Sequence, residues 1–271
     1  MSIIRNRARL FEEMGIGPEW RLRGEPASSE ETVIAVPDAP PVIPQAFSAP
    51  PSDTASRNIS QPVVSPSSGD ISRSRQDFSG WEELIETIRN CTNCGLCQTR
   101  TNTVPGVGDI HADWLFIGEG PGYHEDQQGE PFVGRSGMLL DNMLATLGIK
   151  RGNNAYIANI VKCRASDERK KDRQPTEEEA ALCMPYLQWQ MEKINPKIIV
   201  ALGKTAAAGL LNTDRSISMA AMRGKVHWLP VGDADIPLVV TYHPAYLLRT
   251  PMAKKQAWTD LCLAMDILEK L

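Results

Sequence analysis

The sequence predicts an α/β fold: a central, mainly parallel four-stranded sheet flanked by helices, preceded by a disordered N-terminal extension. Three observations predict it. From about residue 79 onward, short apolar runs alternate with amphipathic stretches, strand then helix, four times over. The prolines and cysteines are segregated, with nine of the 20 prolines between Pro26 and Pro66 and all six cysteines at or after Cys91. A hydrophobic content of 42 % over 271 residues is enough to bury a proper core.

The chain opens on IIRNRARLFEEMGIGPEWRLR, where Ile4, Ala8, Leu10 and Phe11 recur at roughly helical spacing and Gly15 supplies a stop. Residues 1–23 admit two readings, an amphipathic segment lying on the main domain or a docking peptide for a protein partner. Arg5, Arg7, Arg9, Glu12 and Glu13 interrupt any secretory apolar stretch, and no run of 18 apolar residues occurs, so a soluble, cytoplasmic protein is expected. Residues 24–78, rich in Pro, Ser and Ala, lack a periodic apolar face that would offset the entropy of ordering them, and read as a flexible linker.

Residues 79–271 have the size of one domain, and the expectation is a monomer. Its elements read in order as DWLFIG, SGMLLDNMLATLGI, NAYIANIVKC, TEEEAALCMPYLQWQMEKI, KIIVALG, KTAAAGLL, LVVTYH and KKQAWTDLCLAMDILEKL. Thr176 and Glu179 have capping-box spacing, and Cys183, Leu187, Met191 and Ile194 follow on one face, with Pro185 predicting a kink near the helix start. In such sheets the chemistry collects beyond the carboxyl ends of the strands. Here those ends are the loop after Ile117, the segment Asn159 to Cys163, and His243 with Pro244. The first of these, GEGPGYHEDQQGEPFVG, is both rigid and acidic.

Cys91, Cys94 and Cys97 form CTNCGLC, with Cys163 and Cys183 far downstream. Two cysteines three apart plus two distant ones can enclose one metal centre, and Cys91, Cys94, Cys163 and Cys183 form such a set. The C-x2-C-x2-C run through Cys97 is also able to supply three ligands. Spacing leaves zinc and an iron-sulfur cluster equally open. Cys262 falls on the stripe Trp258, Leu261, Met265, Leu268 and reads as a small buried apolar residue.

After the CTNC start, the stretches GEGPGYHEDQQGEPFVGRSGMLL, ANIVKC, IIVALG and HPAYLLR, in that order, resemble the family 4 uracil-DNA glycosylases, bacterial and archaeal enzymes with a four-iron four-sulfur cluster. The resemblance spans about residues 88–269 and leaves out the first 78. It implies the uracil-DNA glycosylase fold, one 4Fe-4S cluster on Cys91, Cys94, Cys163 and Cys183 with Cys97 outside the ligand set, and base excision repair of uracil-containing DNA. Such an enzyme everts the nucleotide from the stack, releases free uracil and leaves an abasic site.

The resemblance also assigns the pocket. Phe132 is the aromatic platform on which the base stacks. Asn159 donates to O4 and accepts from N3, which cytosine cannot match. Glu125 packs beside C5 and blocks the thymine methyl. His243 aims at O2 and stabilises the departing anion. Glu119 orients or deprotonates the water and favours the cationic sugar. Gly120 is expected to contact the substrate, and related classical enzymes place an aspartate at that position, which implies a slower, more electrostatic mechanism. Where the family commonly reads EEED, this chain has Tyr123 and His124 before Glu125 and Asp126.

A net charge of −4 excludes a generally basic surface, so DNA holding falls to local clusters. Arg164, Arg169, Lys170, Lys171 and Arg173 follow Cys163; Arg223 and Lys225 lie in MRGK; Arg249 ends HPAYLLR. Tyr246, Leu247 and Leu248 read as a wedge into the duplex. A rival reading is a non-catalytic iron-sulfur module that grips DNA and recruits repair or replication partners.

Overall fold

The computed structural model describes residues 77–271. The N-terminal segment 1–23, with both of its readings, and residues 24–76 of the expected linker lie outside the described residues. Phe78, the last residue of that linker, is buried, its ring 5.6 Å from Trp189 and 6.0 Å from Tyr186.

Along the chain come α1 (Trp81–Asn90), β1 (Val107–Gly108), β2 (Trp114–Gly118), α2 (Tyr123–Gln128), α3 (Arg135–Thr146) and β3 (Ala155–Asn159). There follow α4 (Glu177–Ile194), β4 (Ile198–Leu202), α5 (Lys204–Leu211), α6 (Met219–Met222), β5 (Val226–Val231), β6 (Ala234–Thr241), α7 (Pro244–Arg249) and α8 (Lys254–Leu268).

The sheet order is β1-β3-β2-β4-β6-β5, six strands rather than the expected four. The inner four, β3-β2-β4-β6, are parallel, and the two edge strands are antiparallel. The edges escape a sequence reading for physical reasons. β1 is two residues long, and β5 interrupts its apolar residues with His227, an exposed Trp228 and Pro230, which a strand tolerates at a sheet edge. Gly232, with φ 58°, turns β5 into β6 next to Asp233.

Every residue of β2, β3 and β4 is buried, and successive side chains serve opposite faces. Leu115 and Ile117 join Leu84 and Ile88 of α1 and Leu187 of α4 on one side. Trp114 and Phe116 join Leu140 and Met143 of α3 and Trp258 and Leu261 of α8 on the other. The capping box of α4 forms as read, with Thr176 Oγ1 accepting from the Glu179 N–H at 3.1 Å and Glu179 Oε2 from the Thr176 N–H at 2.8 Å. α4 runs unbroken through Pro185 and buries Cys183, Leu187, Met191 and Ile194. Among the described residues no helix is long and apolar enough to cross a membrane.

Candidate active site and thiolate cavity

From β2 the chain leaves to β3 on one side, then returns past β2 to β4 on the other. That reversal opens a crevice between the carboxyl ends of β2 and β4. A cleft of about 1200 Å³ lies there, lined among others by Glu119, Gly120, Glu125, Phe132, Asn159 and His243. The six pocket residues expected from the sequence therefore come together.

The segment read as one rigid loop contains the six-residue helix α2, which the buried Glu125 holds in place. Its Oε2 accepts from the Gly122 N–H at 3.1 Å, and its Oε1 accepts from Val133 and Gly134 N–H at 3.0 and 3.1 Å. Gly129, at φ 77°, ends the helix. Between these anchors Phe132 adopts φ 56°, a strained left-handed conformation for an aromatic residue. Two features missed from the sequence make it tenable. A Cβ on Gly137 would lie 1.7 Å from the Phe132 carbonyl oxygen, so only glycine fits there. Arg151 donates to the carbonyls of Pro131 at 2.6 Å and Phe132 at 2.8 Å while pairing with Asp141 at 3.0 Å. Phe132 ends with its ring 5.4 Å from His243, near parallel at 29°.

Asn159 closes β3, and its buried Oδ1 accepts no hydrogen bond from the protein. A buried polar atom without a partner is costly, and the residue that carries this one lines the cleft wall. Behind it, the buried Lys162 ammonium donates to the Asn159 carbonyl at 2.9 Å and to Gln190 Oε1 at 2.7 Å. Burial lowers that ammonium to about 8, opposed by the nearby Cys183 and Cys163. Gly120 approaches β3's continuation so closely that a Cβ would stand 2.6 Å from Val161 Cγ2, which gives a steric reason for the missing side chain.

His243 caps α7, with Nδ1 accepting from the Ala245 N–H at 3.1 Å. An Nδ1 that accepts leaves the proton of the neutral ring on Nε2, which makes Nε2 a donor. Burial, then the positive charge of Arg249, lowers the imidazolium to about 4, against the opposing pull of Glu125. Gly203, at φ 95°, lets β4 approach the His243 Cβ, which a Cβ of its own would meet at 2.9 Å. Glu119 follows β2; burial pushes its carboxyl above the ordinary range, opposed by the Thr205 hydroxyl and Arg215.

The expected DNA-contact residues divide. Leu248 and Arg249 line the cleft and are exposed, as is Tyr246, and Lys225 is exposed outside it. Leu247 is instead fully buried in the core, since α7 turns it inward one turn after His243. Arg223 is committed elsewhere. It pairs with the buried Asp260 at 2.7 Å, donates to the Gln256 carbonyl at 2.7 Å and lies 4.3 Å over the Tyr242 ring. Arg223→Ala is expected to cost about 3–5 kcal/mol by stranding Asp260, read as a fall in melting temperature. Arg164 and Arg173 are likewise tied to Asp172 and Glu179, each at 2.6 Å. Arg135 and Lys204, which sequence reading passed over, do line the cleft; each opens a helix directly after a glycine N-cap.

On the far side of Lys162, Cys91, Cys94, Cys97, Cys163 and Cys183 line one small cavity with Arg100 and Tyr186. None of the six cysteines is in a disulfide, and Cys262, expected to be buried, is partly buried where it packs against the core. Burial pushes the Cys183 thiol up to about 12 and moves Cys163 and Cys94 in the same direction. The donors that meet these sulfurs include Arg100 Nη1 at 3.1 Å from Cys163 Sγ and the Lys162 N–H at 3.3 Å from Cys183 Sγ. Among the described residues no three His, Cys, Asp or Glu side chains converge on a point as ligands of one metal ion would.

A sheet with a parallel core and an aromatic ring, an amide and an imidazole around one crevice at its carboxyl edge places the protein in the class of α/β proteins that take a ligand at the switch point. Comparison with known proteins narrows the class. The family model described as the uracil DNA glycosylase superfamily matches residues 105–264. A type-4 uracil-DNA glycosylase of Archaeoglobus fulgidus is 38 % identical over 181 residues, covering 66 % of this chain and 88 % of that protein. One from Thermotoga maritima is 45 % identical over 169 residues, 62 % of this chain and 83 % of its own length. One from Pyrobaculum aerophilum is 37 % identical over 184 residues, 67 % and 91 %. The chain belongs to the uracil-DNA glycosylase superfamily and groups with its type-4 members.

Proposed function

We propose that this protein is a monofunctional uracil-DNA glycosylase that hydrolyses the N-glycosidic bond of an everted deoxyuridine in base excision repair. The observation that carries the reading is the buried, unpartnered Asn159 Oδ1 in the same cleft wall as Phe132, His243 and Glu119.

Asn159 reads the N3 and O4 edge of uracil; cytosine would leave its amide unsatisfied. Phe132, preset at its strained angle, gives the base a stacking surface. Glu125 closes the C5 side, where a thymine methyl would need space that a carboxyl held by three amides does not yield. The Nε2–H of the neutral His243 donates to O2 as negative charge gathers there, without a proton having to be lost first. Glu119 orients the attacking water and its charge favours the cationic sugar. Arg249, Arg135 and Lys204 hold phosphates at the rim, with Leu248 and Tyr246 filling the vacated stack. Lys225 stands outside the cleft, and Arg223 and Leu247 act in the protein interior rather than on DNA.

The thiol set fits a 4Fe-4S cluster on Cys91, Cys94, Cys163 and Cys183 better than zinc. Cys91, Cys94, Cys163 and Cys183 line one cavity as thiolate donors, and the resemblance to the family 4 enzymes favours the cluster over zinc. The cations and N–H groups around the sulfurs suit a buried anionic group. Such a cluster ties α1, the β3 exit and α4 together and supplies no chemistry to a hydrolysis that moves no electron. Purified protein is expected to be brown and to hold about four irons per chain, with Cys183→Ser losing iron; colourless protein with one zinc per chain would refute the cluster.

Release of free uracil from a single-stranded oligonucleotide tests the function. Turnover is expected. Tight DNA binding with no uracil released would favour the non-catalytic module. Stable DNA adducts on a denaturing gel are not expected, since RTPMAKKQAW after α7 offers no histidine for trapping a product.

A further inference from the structure

We propose that Lys162 is a positioning residue for Asn159 and, through the same ammonium, a counter-charge for the thiolate cavity, so that one buried cation holds the two sites in register. The inference deepens the uracil-glycosylase reading above and rests on it.

Lys162 lies between the two sites in space as well as in sequence. It is 1 % exposed, lines the cysteine cavity, and its backbone N–H donates to Cys183 Sγ at 3.3 Å. Its ammonium turns the other way, to the carbonyl of Asn159 at 2.9 Å. The second acceptor, Gln190 Oε1 at 2.7 Å, belongs to α4, the helix that also carries Cys183. Gln190 is itself fixed, because its Nε2 donates to the Pro105 carbonyl at 2.9 Å and the Tyr156 hydroxyl at 3.3 Å.

Both acceptors are neutral, so neither compensates the charge they hold. A buried ammonium held only by neutral acceptors carries a large desolvation cost, and the Cys183 and Cys163 sulfurs, which are thiolates when they ligate a metal, act on it electrostatically from the cavity side. Arg100 contributes a second cation from the solvent side of the same cavity, 3.1 Å from Cys163 Sγ. The strand end is thereby clamped from behind. Asn159 keeps its amide toward the cleft because its carbonyl is pulled toward α4, and α4 is held by the sulfurs.

The charge and the clamp can be separated by two substitutions, Lys162→Met and Gln190→Leu. The first removes both; the second keeps the cation and loosens its anchor. Three readouts are taken on each purified full-length protein: the inhibition constant of free uracil, the rate at which visible absorbance bleaches in excess iron chelator, and the melting temperature. Lys162→Met is expected to weaken uracil about tenfold and to bleach several-fold faster than wild type. Gln190→Leu is expected to bleach at the wild-type rate and to weaken uracil about threefold.

A lysine with a merely structural role would lower the melting temperature and leave the inhibition constant of the folded protein unmoved, and that result overturns the proposal. So does a Lys162→Met protein that bleaches no faster than wild type. Should Lys162→Met fail to fold, Gln190→Leu decides alone, and an unchanged uracil constant overturns the clamp. A wild-type protein that holds no iron, or neither binds uracil nor releases it from DNA, instead sinks the underlying reading and the proposal with it.

Discussion

Replacing His243 with alanine is expected to slow uracil release by about 10²–10³-fold, the cost of losing one preorganised donor at a developing anion. The ring's environment is what makes the loss large. The Ala245 N–H fixes the proton on Nε2, and burial with Arg249 keeps the imidazole neutral down to about pH 4. A neutral donor aimed at O2 gains most in the transition state, where charge accumulates on that oxygen, so the effect should fall on kcat more than on KM. His243→Gln, which keeps an amide donor, should recover part of the rate. Single-turnover kinetics on a uracil oligonucleotide check both. The melting temperature should change little, since the ring is partly exposed to the cleft.

Glu119→Gln is expected to lower the rate by about 10²–10⁴-fold and to change the shape of the pH profile. Burial raises the Glu119 carboxyl above its ordinary value, and the Thr205 hydroxyl and Arg215 only partly oppose this. The active form is the carboxylate. Wild-type kcat/KM should therefore fall as pH drops through that raised value, at a higher pH than an exposed glutamate would give. His243 is lowered, not raised, so its protonation belongs further into acid and cannot produce the same limb. The residual activity of Glu119→Gln should be flat where wild type declines. A variant that keeps the full acid limb would remove Glu119 from the role given to it here.

The parallel core was legible because β2, β3 and β4 are short apolar runs buried on both faces and separated by periodic helices. The edge strands were not, because an edge needs no continuous apolar run and β5 carries Pro230 and an exposed Trp228. That the residues assigned by the family resemblance line one cleft follows from their place in compact motifs at strand ends, where neighbours in sequence are neighbours in space. Their supports were hidden by distance along the chain. Arg151 reaches back to the Pro131 and Phe132 carbonyls, and Gln190 of α4 meets Lys162. The same blindness misplaced Arg223, whose partner Asp260 lies on α8, and Leu247, whose inward direction appears only once α7 is helical. Charge in a sequence does not say whether a carboxylate elsewhere has already claimed it.

The central claim is that Phe132, Asn159, His243 and Glu119 form one receptor for a flipped uracil. A crystal structure with a single-stranded oligonucleotide carrying a non-hydrolysable deoxyuridine tests it most directly. The account predicts the uracil ring against Phe132, the Asn159 amide on its N3 and O4 edge, and His243 Nε2 within hydrogen-bond reach of O2. A base bound outside the crevice, or seated in it with Asn159 Oδ1 still without a partner, would contradict it.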